Sequence, residues 1–135
     1  MAKYLVGYAV TLAVIAALDA LWLGVIAKSS YQKAIGHLMA DQPNFLVAAL
    51  FYALFAAGLM VFAVMPGGSA HDWRKTLIAA ALFGFIAYAT YDLSNLATLK
   101  NWPVGISLVD MAWGTLLSVV SASAGKAAMD RFATV

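Results

Sequence analysis

The chain has no cysteine, and all six of its acidic residues are aspartates, so glutamate is missing too. Without cysteine, disulfides, thiolate nucleophiles and thiolate metal sites are excluded. Two histidines, His37 and His71, are too few for a nitrogen-rich metal centre, so neither a metal nor a cofactor is expected. Charge is scarce as well. Asp, Lys and Arg make up 10% of the 135 residues, against about 25% in a soluble domain. The basic residues are scattered rather than set in stripes with aromatics, which gives no case for nucleic-acid binding.

What is present is apolar: 64% of the residues are hydrophobic and the mean hydropathy is +0.88. A membrane-crossing helix needs about 20 mostly apolar residues, and the chain offers four such runs. They extend over Tyr4–Ile26, Phe45–Met65, about Thr76–Leu99 and Val104 to about Ala124. The expected fold class is therefore all-α, an integral membrane four-helix bundle forming a single domain over 1–135. The first run carries Asp19 and Trp22 and is longer than the apolar core of a signal peptide, so it is expected to be a retained span.

The connections carry their own signals. Between the first two runs, Ala27–Asn44 is polar. Within it Tyr31, Ala34, Ile35, Leu38 and Met39 recur at helical spacing, which predicts a short amphipathic helix at the membrane surface. Pro66, Gly67 and Gly68 stop the second run, and His71, Asp72, Trp73, Arg74 and Lys75 form an interfacial cluster before the third. Lys100–Pro103 is a tight turn, and Lys126–Val135 reads as a polar end. With alternating spans, Lys3, Arg74, Lys75, Lys126 and Arg131 share one side and Lys28, Lys33 and Lys100 the other. Cytoplasmic loops carry the excess of Lys and Arg, so both termini are expected in the cytoplasm.

Three aspartates interrupt the apolar runs: Asp19 late in the first, Asp92 late in the third and Asp110 early in the fourth. An ionisable residue inside a span costs about 2.5 to 3.5 kcal/mol on insertion scales, and it ordinarily faces a bundle interior or a cavity. Alternating directions put all three in the same half of the bilayer, toward the first connection. Each of two also has a tryptophan three residues on, Asp19 with Trp22 and Asp110 with Trp113, and such pairs share a helix face. In the third run Tyr88, Asp92 and Asn95 share a face flanked by Tyr91 and Thr98, and Ser107 stands a turn before Asp110.

The candidate ligand-binding residues are therefore Asp19, Trp22, Tyr88, Asp92, Asn95, Ser107, Asp110 and Trp113, with Lys28, Lys33 and Lys100 near the mouth. Polar residues between spans also serve as interhelical glue worth about 0.6 kcal/mol each, but glue does not require ionisable groups. Trp102, Tyr31, His37 and Asp41 read as interfacial anchors.

The chain resembles the bacterial family DUF2177, a domain of unknown function made of small four-span membrane proteins. The resemblance rests on DALWLG at Asp19–Gly24, GHLMADQPN at Gly36–Asn44, YATYDLSNLATLKNWP at Tyr88–Pro103 and LVDMAWGT at Leu108–Thr115, and it covers nearly the whole chain. It implies a compact four-helix protein of the inner membrane and brings no activity, substrate or cofactor.

Three functions fit these residues. The first is a pocket for a small cationic or amphipathic ligand or a proton, coupled to transport: indole faces attract cations and a carboxylate supplies the countercharge. The second is an enzyme acting on a lipid or isoprenoid through aspartate acid–base chemistry. The third is a structural or accessory subunit. The expected partners are membrane lipid and a small-molecule or ion ligand, and a homo-oligomer is open.

Overall fold

The computed structural model describes residues 1–67 and 72–133; Gly68 and His71, assigned above to a turn and an interfacial cluster, lie outside the described residues. Among the described residues five helices carry the fold: α1 (Ala2–Ile26), α2 (Lys28–Ile35), α3 (Phe45–Gly67), α4 (Trp73–Thr98) and α5 (Val104–Ala133), with a 3₁₀ turn at Gly36–Leu38 after α2. All but α2 are long and apolar enough to cross a membrane, and there is no strand among the described residues. This is the expected all-α bundle, and α2 is the short amphipathic helix expected between the first two spans.

The helices begin and end where the local chemistry changes. Asn44 caps α3, its side-chain oxygen accepting the Val47 N–H at 3.2 Å, which satisfies one of the donors a helix start leaves open. Pro66 lies in the 3₁₀ turn that closes α3. Between α4 and α5 the chain reverses through Asn101, whose φ of 58° lies in the left-handed region that asparagine tolerates better than most residues.

Spans adjacent in the ring run antiparallel, and small residues let them approach. α5 packs along both α1 and α4, while α3 closes the bundle against α1 and α4. A β-carbon at Gly84 would collide with Ser118 and the Gly114 carbonyl of α5, and one at Gly114 would strike the Tyr88 ring of α4. Inside, Ile15, Phe55, Ala56, Leu59, Met60, Leu117 and Ala122 form the apolar core. Leu50, Leu54, Phe62, Leu82, Ile86 and Leu116 point outward, as they do where the surrounding solvent is lipid.

The fourth helix departs from expectation at its end. The sequence reads as polar from Lys126 onward, yet α5 continues to Ala133 with Lys126 fully buried. The charge is tolerated because Nζ lies 3.2 Å from Asp130 and 5.4 Å from the centroid of the Trp73 ring.

Candidate functional site

The polar layer is assembled by a change of helical pitch. The last turn of α1, Trp22–Ile26, is a π-turn closed by the Ala27 N–H on the Trp22 carbonyl at 2.7 Å. Such wide turns often mark functional positions. Here it carries the chain into α2, whose Tyr31 turns back over the end of the bundle and is only 8% exposed.

From there one chain of contacts threads all five helices. The Tyr52 hydroxyl of α3 donates to Asp19 Oδ2 at 2.5 Å, and the Trp113 indole of α5 donates to Asp19 Oδ1 at 3.0 Å. The Trp113 ring stacks on Trp22, centroids 4.4 Å apart and planes 6° from parallel. Trp22 Nε1 donates to the Tyr31 hydroxyl at 3.2 Å, and that hydroxyl donates to Asp110 Oδ1 at 2.7 Å. Asp110 in turn interacts with the neighbouring Asp92 carboxyl of α4.

The two Asp-x-x-Trp segments therefore interlock. Asp19 is served by Trp113, the tryptophan of the other segment, and Asp110 is served by Trp22 through Tyr31. Each i, i+3 pair does occupy one face, but the partnerships cross between helices. The stack alone accounts for about 0.5 to 1.5 kcal/mol beyond the area it buries.

The electrostatics are unusual. Asp19 is 6% exposed and Asp92 1%, and among the described residues neither these two nor Asp110 forms an ion pair with Lys, Arg or His. Lys28, Lys33 and Lys100 are exposed rather than turned into the layer. Asp19 has a donor on each oxygen. Asp92 Oδ2 is buried with no donor facing it. If both Asp92 and Asp110 were ionised, two negative charges would meet in a low-dielectric interior; one proton held between them turns the contact into a hydrogen bond. Outside the spans, burial, with the Asp110 hydrogen bond second, pushes the Tyr31 hydroxyl above the ordinary phenol range, so it stays a donor.

Of the eight residues singled out from sequence, Asp19, Trp22, Asp92, Asp110 and Trp113 belong to this chain of contacts. Tyr88 lies beside it, its ring against Gly114 and edge-on to Phe55 at 6.1 Å. Asn95 is half-buried and interacts with Tyr91 rather than with a carboxyl. Ser107 is engaged elsewhere: it accepts the Trp102 indole N–H at 2.8 Å and donates to the Pro103 carbonyl at 2.7 Å, fixing the α4–α5 turn. Trp102 is buried in that role, while His37 and Asp41 are exposed.

Two members were missed. Tyr31, expected as an interfacial anchor, packs with Ala34 and Ile35 against the bundle, while Leu38 and Met39 of the same stripe are exposed. Tyr52 is the one polar side chain between Phe45 and Met65, and that solitary donor in an otherwise apolar span was the signal.

The nearest cavity, of about 410 Å³, lies between the end of α1, α2 and the start of α5; Trp22, Ile26, Ala27, Ser30, Ala34, Gly105, Ile106 and Val109 line it. The carboxyls do not. Among the described residues no three Asp or His side chains converge as a metal cage would require.

Compared with known families, the chain matches the one described as "Predicted membrane protein (DUF2177)" over residues 4–127. The chain belongs to this family. All four motif segments quoted above lie inside the match, so the DUF2177 core includes every member of the polar layer. Family membership brings the membrane class and no reaction. Neither curated proteins nor solved structures gave a match.

Proposed function

We propose that this protein binds and exchanges a proton at the Asp92–Asp110 pair, within a small inner-membrane bundle of bacterial origin whose termini both face the cytoplasm. The carrying observation is that Asp92 is 1% exposed and its Oδ2 has no donor, with Asp110 as its neighbouring carboxyl and no cation paired to either among the described residues. Such a pair holds one proton readily and two charges poorly. A small cation entering the layer would supply the same compensation, so proton release and cation uptake exclude each other at one site, which is the elementary requirement of exchange.

Trp22 and Trp113 set the layer's shape, Tyr31 and Tyr52 supply its donors, and membrane lipid covers the outward faces.

The test is a reconstitution in liposomes with an entrapped pH dye, read beside the infrared carbonyl band of protonated carboxyls. Wild type is expected to show both a titrating carboxyl band and a pH response; Asp92→Asn and Asp110→Asn are expected to lose both. If both signals persist in the two variants the proposal fails. If neither signal occurs in wild type, the layer is interhelical structure and the accessory-subunit reading replaces it.

A further inference from the structure

We infer that the cavity between α2 and the start of α5 holds the aliphatic tail of an amphipathic monocation, whose head group is neutralised by Asp110. This deepens the exchange reading, on which it rests, by naming the class of ligand that competes with the proton.

The cavity is built from three elements rather than being the face of one helix. Its walls are apolar, Ala34 on one side and Ile106 and Val109 on the other, with the Trp22 indole at one edge and the Ser30 hydroxyl as a polar lining atom. A volume of about 410 Å³ suits an alkyl chain rather than a hydrated ion. Charge complementarity identifies the head. Asp110 follows the lining residue Val109, accepts the Tyr31 hydroxyl and has no basic partner among the described residues, so an anionic head would add to an uncompensated charge and a cationic head would offset it. Trp22, which borders the cavity, adds the indole that cations prefer among aromatic groups.

The connection to the carboxyls is Tyr31. Ser30 and Ala34 of α2 line the cavity, while Tyr31 of the same helix turns to Asp110 at 2.7 Å. Tyr31 is also the one buried residue of α2, so its hydroxyl is the contact an incoming head group displaces. Gly105 supplies the means of testing this: it lines the cavity and a β-carbon built there meets nothing within 4 Å, so a larger side chain can be started there without a clash at its base.

The experiment measures quenching of Trp22 fluorescence in nanodiscs by three bromoalkyl amphiphiles of one chain length, with trimethylammonium, sulfate and maltoside heads, using Trp22→Phe to subtract the other tryptophans. The ammonium compound is expected to saturate at a concentration roughly tenfold or more below the other two. Gly105→Leu is expected to abolish that saturation while leaving thermal unfolding and the infrared carboxyl titration as in wild type. Should Gly105→Leu lose its fold, Val109→Trp, at a position 44% exposed, blocks the same space. Asp110→Asn is expected to remove the preference for the ammonium head. Equal quenching by all three heads, or wild-type quenching in both cavity-filling variants, overturns the inference. A normal carboxyl titration beside such a result leaves the exchange reading standing, whereas loss of the titration in wild type removes both.

Discussion

Asp19 takes its indole hydrogen bond from Trp113, on the neighbouring antiparallel helix and 3.0 Å away, and not from Trp22 three residues along its own chain. The two Asp-x-x-Trp segments are thus a single cross-braced unit, and replacing one member loads the other.

That bracing ranks the tryptophans. Trp113→Phe keeps much of the stack but leaves a buried carboxylate oxygen short of a donor, whereas Trp22→Phe removes a bond to a neutral hydroxyl. Bonds to charged groups are worth about 1.5 to 3 kcal/mol and neutral ones about 0.5 to 1.5. Trp113→Phe is expected to destabilise more than Trp22→Phe by about 1 kcal/mol. Reversible unfolding in mixed detergent measures both, and an inverted order would refute the assignment.

The aspartates are expected to differ among themselves. Asn at position 92 resembles the protonated acid, so Asp92→Asn retains the contact with Asp110 and leaves stability within about 1 kcal/mol of wild type. Asp19→Asn presents an amide N–H₂ to Trp113 or Tyr52, each already a donor, and is expected to cost about 2 kcal/mol. Side-by-side unfolding of the two variants decides it.

Tyr31 gives a prediction in pH. Its folded pKa is raised, so the folded state holds this proton more tightly than the unfolded chain does. The contribution is complete below the unfolded value of about 10 and is lost as the pH rises through the higher folded value. Stability is therefore expected to fall above about pH 10, and Tyr31→Phe is expected to make that fall shallower. Unfolding curves taken across the alkaline range test this, and parallel slopes for the two proteins would contradict it.

Two glycines near the layer should behave oppositely. Gly114→Ala forces a methyl group into the Tyr88 ring, with an expected cost of about 1 to 3 kcal/mol or a spread of the α4–α5 crossing. Gly105→Ala meets open space in a helix and is expected to be neutral or to stabilise by about 0.5 to 1 kcal/mol. Thermal unfolding of the pair separates packing from propensity.

The sequence by itself determined the membrane class, the four spans, the short helix between the first two and the set of aspartates and tryptophans that make the layer. Those follow from composition and from the 3.6-residue period, both of which act within one helix and are written into local order. Which side chains become partners depends on how the helices pack. Tyr31 and Tyr52 join because α2 folds back and α3 lies beside α1, and Ser107 leaves because a closer indole, Trp102, claims its hydroxyl. Lys126 is buried because Asp130 and Trp73 meet it there. Hydrogen bonds depend on distances of about 3 Å between atoms tens of residues apart, and helix crossing sets those distances. The aspartates are visible in the sequence as an anomaly; their joining into one layer, through Trp113, Trp22 and Tyr31, exists only once the helices have packed.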